Sequence, residues 1–265
     1  MRIRILALAA CVALSGPARA GLQEGMQAAR RGDFATAYKE WLPLARQGDG
    51  NAQNNLGVLY ERGQGVARNY GEAAQWYRKA AEQGNPSGQN NLGVLFEKGE
   101  GVAQSFAEAA QWYRRAAERG EANAENNLGV LYEKGEGVQR DAAAAASWYN
   151  RAAAQGNARA ENNLGVLYER GAGVPQDLLS AARWYRAAAE QGHAAAQNNL
   201  GVLYGMGRGL PGDIVQANFW FALAAEGGNA SGAKNRDATA RRLNDAQRAH
   251  VAQMLAEWRA KHASR

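Results

Sequence analysis

Cysteine is almost missing from this chain: Cys11 is the only one, and it lies within the first 20 residues. A disulfide framework is therefore excluded for everything downstream, so stability must come from burial alone, which the chain length permits. Histidine is nearly as scarce. His193, His250 and His262 stand without H-x-x-x-H or H-x-x-E spacing, so no metal site is expected. With no G-x-S-x-G and no downstream cysteine, the common nucleophile arrangements are missing as well. Charge of one sign is also in short supply. The formal net charge is +6, and setting aside Arg2, Arg4 and Arg19 with a leader leaves 28 basic against 25 acidic residues, a net +3. That balance argues against nucleic acid and against strong attraction to a membrane surface. Beyond the leader no run approaches 18 consecutive apolar residues, so no transmembrane segment is expected.

What is present begins with a basic start, Met1 to Arg4, an apolar run from Ile5 to Leu14, and the small-x-small end Ala18-Arg19-Ala20. This pattern reads as a secretory signal peptide over 1–20, cleaved after Ala20. Leu8-Ala9-Ala10-Cys11 also reads as a lipoprotein processing box, although only about six apolar residues precede the cysteine. Soluble export, periplasmic in a bacterium, is the expectation, with secretion or a lipid anchor as alternatives.

After the leader the chain repeats itself. NNLGVLY begins at Asn54, Asn126, Asn162 and Asn198, and at Asn90 with Phe96 for tyrosine, so the copies stand 36 residues apart. Trp76, Trp112, Trp148, Trp184 and Trp220 keep the same register, each followed by an aromatic, an alanine pair and a glycine. A fixed period of this length marks an array of one supersecondary unit. Each half of the unit is long enough for three helical turns and lacks the alternation of a strand, which gives an all-α array. Gly63-x-Gly65 and its copies at Gly99, Gly135, Gly171 and Gly207 supply the positive φ that ends helix A. Asn69, Ser105, Asp141, Asp177 and Asp213 are N-cap residues for helix B. Helix A is predicted over 52–62 and helix B over 70–83, with later copies offset by 36.

LGVLYERGQGV followed by EAAQWYRKAAEQG resembles the Sel1-like repeat, a relative of the tetratricopeptide repeat. The resemblance implies a right-handed α/α superhelical solenoid of about 14 helices, with five repeats over 51–228. Gly32-Asp33-Phe34 with Trp41, Leu44 and Ala45 resembles a tetratricopeptide-type pair, which would make 21–50 the N-terminal cap. Residues 229–265 resemble the closing helices of such proteins. There Arg236, Asp237, Arg241, Arg242 and Arg248 are expected to give a polar outer face while Val251, Leu255 and Trp258 pack inward.

On a helical wheel centred on Leu56, residues Ala52, Leu59, Tyr60 and Gly63 lie within about 60° and form the packed face. Gly57 sits on its flank, where a missing side chain lets a neighbour approach. The tryptophans are expected to bury each repeat against the next. Away from that face fall the candidate groove residues: Asn54, Asn55, Val58 and Arg62; Asn90, Asn91, Val94 and Lys98; Asn126, Asn127, Val130 and Lys134; Asn162, Asn163, Val166 and Arg170; Asn198 and Asn199. Two readings of the asparagine rows stay open. They bond to one another or to backbone and set the stagger of the repeats, or they offer donors and acceptors to an extended peptide while Arg62, Lys98, Lys134 and Arg170 receive its acidic groups.

The resemblance implies a protein-binding scaffold in the bacterial envelope, an adaptor or regulator working through a concave groove with a protein or peptide partner. Catalytic residues, cofactors and metals are not expected. Alternatives are a cell-wall-related or β-lactam-interacting enzyme, or a structural spacer. Ser231-Gly232-Ala233-Lys234 matches S-x-x-K, but S-D-N and K-T-G companions are missing, and a helix start after Asn229 accounts for the match.

Overall fold

The computed structural model describes residues 16–262, with side chains from residue 20 onward. The predicted leader and the processing box at Cys11 lie largely outside the described residues. The expected cleavage point after Ala20 falls within the first helix. Among the described residues there are 14 α-helices and no strands, in agreement with an all-α array of helix pairs. The chain divides into two compact units, Met1–Ser105 and Phe106–Arg265.

The first unit holds α1 (Gly16–Arg30), α2 (Phe34–Arg46), α3 (Gly50–Arg62), α4 (Tyr70–Glu82) and α5 (Pro86–Lys98). Its core joins Ala28, Ala37, Trp41, Leu44, Ala45, Ala52, Leu56 and Leu59. The second holds α6 (Phe106–Ala117), α7 (Ala122–Lys134), α8 (Ala142–Ala154), α9 (Ala158–Arg170), α10 (Leu178–Glu190), α11 (Ala194–Met206), α12 (Ile214–Glu226), α13 (Ala230–Ala240) and α14 (Asp245–His262). There Val251 of α14 is buried, Leu255 and Trp258 pack on the same core, and Trp258 meets Trp220 edge-on at 5.4 Å.

Local chemistry explains the punctuation. Asn69, Asp141, Asp177 and Asp213 cap the helices that follow them, each side chain accepting from backbone N–H groups of the first turn. Helix A has its own cap series, unforeseen in the sequence: Asp49, Asn85, Glu121, Asn157 and His193, again 36 apart. Helix A therefore starts about two residues earlier than predicted. Of the two loop glycines, Gly171 is the left-handed C-cap of α9. Gly173 has a second role besides its positive φ. A Cβ there would lie 2.2 Å from the Ala142 carbonyl carbon, so the loop passes directly over the start of the preceding helix B.

The packing of helix B requires one correction. Tyr77, Tyr113, Tyr149 and Tyr185 are the fully buried aromatics; of the tryptophans Trp112 and Trp220 are buried as expected, whereas Trp76, Trp148 and Trp184 are only half-buried, Trp76 and Trp184 packing at the edge of the cores. Each of these tyrosines sits midway along a stripe of buried alanines, such as Ala73, Ala74, Ala80 and Ala81 around Tyr77. The tryptophan one position earlier is turned about 100° off that stripe. It takes a cation over its exposed face instead, Lys79 on Trp76 and Arg151 on Trp148. The small residue facing the tyrosine is the repeated glycine of helix A: a Cβ on Gly57 would sit 2.4 Å from the Tyr77 ring, and on Gly129 2.6 Å from Tyr149.

Candidate functional site

The asparagine pairs form a ladder. In the first unit Asn91 Nδ2 donates to Asn54 Oδ1 at 2.9 Å. In the second unit Asn163 donates to Asn126 at 3.1 Å, Asn199 to Asn162 at 3.2 Å, and Asn235 of α13 to Asn198 at 3.0 Å. Within a pair the first amide turns to the second, as Asn90 Nδ2 does to Asn91 Oδ1 at 3.2 Å and Asn126 to Asn127 at 3.3 Å. Asn90 and Asn126 are buried, and most of the others are half-buried. An amide carries two donors and an acceptor with two lone pairs, and the ladder engages both kinds of group along its length.

At its beginning the ladder runs out. The α1 residue in the register of Asn54 is Leu22, 32 positions earlier because the α1–α2 turn is shorter, just as Gly25 against Trp41 matches Gly57 against Tyr77, and a leucine has no amide to meet Asn55. Among the described residues Asn55 makes no side-chain hydrogen bond. Its amide lines a cleft of roughly 360 Å³ together with Val58 and Arg62 of the same helix, Phe34 and Trp41 of α2, and Arg30 of α1. Three predicted site residues, Asn55, Val58 and Arg62, thus come together. The indole of Trp41 is fixed by donation to Leu22 O at 3.2 Å. The result is an apolar floor with a free amide and two guanidinium groups around it.

The equivalents in later repeats are placed differently. Lys98 and Lys134 are exposed and lie 3.8 Å from Glu100 and 3.5 Å from Glu136, surface pairs of small energetic weight. Val130 and Val166 pack partly onto the cores of the second unit; Val94 is half-buried and Arg170 exposed. The glutamates beside the basic row accept from the buried tyrosines: Tyr149 Oη donates to Glu133 at 2.8 Å and Tyr185 to Glu169 at 2.8 Å. Burial first, and then this bond to an anion, pushes both phenols well above the usual tyrosine range.

A second polar row escaped the sequence reading. Gln53, Gln89, Glu125, Glu161 and Gln197 are all buried. The glutamines donate to the last turn of the preceding helix B: Gln53 to Ala45 O at 3.0 Å, Gln89 to Ala81 O at 3.1 Å, and Gln197 to Ala189 O at 3.2 Å. These bonds satisfy carbonyls that a helix end leaves open. The signal was available, because this position lies about 60° from Leu56 on the packed side of the wheel.

Ser231, Lys234, His193 and His262 all have structural surroundings. Ser231 and Lys234 lie in the first turns of α13, whose N-cap Asn229 accepts from Gly232 N at 2.8 Å. His193 caps α11, accepting from Ala196 N at 3.3 Å, with its imidazole pKa lowered by burial. His262 stacks on Trp258 at 4.0 Å. Among the described residues no group of three His, Cys, Asp or Glu side chains could hold a metal ion, and no helix is long and apolar enough to cross a membrane.

Comparison with known proteins bears on the whole array. A family model described as Sel1 repeat matches residues 50–85, 86–121, 122–157, 158–193 and 194–229. A Sel1 repeat protein from Oxalobacter formigenes of known structure is 36% identical over 84% of this chain and 87% of its own, with a TM-score of 0.76. An immunity protein from Pseudomonas aeruginosa shares the fold at 22% identity and a TM-score of 0.53, covering 83% of this chain and 85% of its own. A Sel1 repeat protein from Klebsiella pneumoniae does so at 21% identity and 0.52, over 77% and 99%. No curated protein matches the chain.

Proposed function

The chain belongs to the Sel1 repeat family, and on that premise we propose that it is an exported, non-catalytic scaffold in the bacterial envelope, an adaptor or regulator that holds a protein partner. Sel1 repeats generally serve protein interaction. The observation that carries the assignment to a place on this chain is the cleft at the start of the asparagine ladder. Among the described residues Asn55 is the one amide of the predicted rows without a side-chain hydrogen bond, and it lines a concave apolar surface between Arg30 and Arg62. An extended peptide laid there would give its backbone to the amide and an acidic group to the guanidinium groups. Because the cleft is already formed, little ordering cost opposes binding. Export is supported by the sequence of residues 1–20.

Peptides selected from a displayed library on the purified chain test the cleft. Acidic peptides should be enriched, and Val58→Asp with Arg62→Glu should abolish their binding with helicity unchanged by circular dichroism. Unchanged binding by that variant would reject the cleft. N-terminal sequencing of the protein recovered from the periplasm should begin at Gly21.

A further inference from the structure

Two successive repeats of the second unit bury a carboxylate at the same place and treat it differently. In the earlier one, Arg151 of α8 lies 2.8 Å from Glu125 Oε1, donates to Ala117 O at 2.8 Å, and sits over the Trp148 ring at 4.5 Å. One guanidinium thus meets a carboxylate, a helix-end carbonyl and an indole face. Gln155 adds a bond to the other carboxylate oxygen at 2.7 Å.

Thirty-six residues on, every one of these partners recurs except the arginine. Glu161 replaces Glu125 and is 5% exposed. Gln191 again donates to Oε2, at 2.8 Å. Ala153 and Trp184 stand where Ala117 and Trp148 stood, but Ala187 occupies the place of Arg151. Among the described residues no side chain donates to Ala153 O, no cation lies over Trp184, and Glu161 has no ion pair. Burial pushes the Glu161 carboxyl above its ordinary value, with only the Gln191 bond opposing. In place of the arginine there is open space. Glu161, Ala187, Glu190 and Gln191 line a cleft of roughly 390 Å³ whose far wall is Trp258, Lys261 and His262 of α14.

We propose that this cleft is a binding site for a guanidinium group supplied from outside the chain, seated as Arg151 is seated one repeat earlier. The ligand would bridge Glu161 and Ala153 O, against the Trp184 face. A planar fork of N–H donors suits a carboxylate and a carbonyl at once, which a point-like ammonium does not. Glu190 adds a second negative charge at the rim, and Lys261 opposes it. The site is remote in sequence from the cleft at Asn55, and the inference does not rest on the reading of that face.

The test is calorimetric titration of the full chain with N-acetyl-arginine amide, its lysine counterpart and free arginine. Saturable binding of the blocked arginine, about tenfold tighter than the blocked lysine, is expected. If free arginine binds more tightly still, the guanidinium belongs to a small molecule whose carboxylate meets Lys261; if the blocked form is as good, it belongs to a residue of a polypeptide. Both support the site. Glu161→Gln should abolish binding in a protein that still unfolds cooperatively, and Ala187→Arg should abolish it while raising the melting temperature. Equal binding of arginine and lysine, or binding unaffected by either substitution, would overturn the proposal. So would arginine binding that emerges only in Lys261→Ala, because the chain's own lysine would then be the occupant.

Discussion

The third and fourth repeats share a scaffold and differ in what meets a buried glutamate: Arg151 in one stands where Ala187 stands in the other. Both pack a buried tyrosine on a helix-A glycine, Tyr149 on Gly129 and Tyr185 on Gly165. Both bury a glutamate bonded by a C-cap glutamine. In one the glutamate is neutralised within the chain by Arg151; in the other it faces a cleft. The repeating part of the unit specifies how helices stack, and the departures from repetition mark where something other than stacking is at stake.

Disturbing what the two repeats share should have the largest effect. A Cβ on Gly129 or Gly165 would stand 2.6 or 2.7 Å from a buried tyrosine ring. Gly129→Val and Gly165→Val should each destabilise by about 1–3 kcal/mol in urea unfolding. If one does so and the other does not, the repeats do not pack alike. Next in size is the element they do not share. Arg151→Ala converts the third repeat to the pattern of the fourth and leaves Glu125 without its cation and Ala117 O without its side-chain donor. A loss of about 1–2 kcal/mol is expected, moderated because the arginine is 45% exposed. The same denaturant titration, repeated at high salt, should show a smaller difference.

The sequence made the shared part legible and left the difference hidden. A period of 36 with glycines, caps and alanine pairs in register was enough to place the helices, because helix ends are local chemistry. The core assignment to the tryptophans holds for Trp112 and Trp220 but not for Trp76, Trp148 and Trp184, since the stripe of alanines around Tyr77 and its copies decides which ring is fully buried. The ladder was open to two readings because a wheel drawn for one helix does not say where the neighbouring repeat brings its amide. Asn163 reaching Asn126, 37 positions away, depends on the stagger between helices. Glu161 was invisible for another reason: reading for the consensus averages away an exception such as Ala187.

A smaller effect, with the opposite sign, is expected at Glu161. Its folded-state pKa is raised from 4.5, chiefly by burial. Below that ordinary value the carboxyl is protonated in folded and unfolded chains alike, and its contribution to stability is fully present. As pH rises through the higher folded value, the unfolded chain releases the proton more readily, and the contribution is lost. Glu161→Gln removes this dependence and supplies a donor like that of Gln53, which bonds Ala45 O. The variant should be more stable than the parent by about 0.5–1.5 kcal/mol near pH 7.5, with the gap closing as pH falls toward 4.5. Glu125→Gln should gain less, because it gives up the ion pair with Arg151. Melting curves of the three proteins across that range would reveal a pH-independent gap if burial of the carboxylate were not its cause.

The smallest effects separate the interior of the ladder from its free end. Asn163 donates to Asn126 and accepts from Asn162. Truncation to alanine leaves the half-buried partners short of these bonds, at a cost of about 0.5–1.5 kcal/mol. Asn55 has the same neighbours in sequence and lacks the bond to a preceding repeat, so Asn55→Ala should fall within about 0.5 kcal/mol of the parent. Chemical denaturation of the two variants side by side decides the matter. Equal losses would mean that Asn55 is held as firmly as the ladder's interior, and the cleft would have no free amide to offer. Unequal losses in the stated order leave Asn55 as a polar group that stacking does not require, which is the condition a recognition residue has to meet.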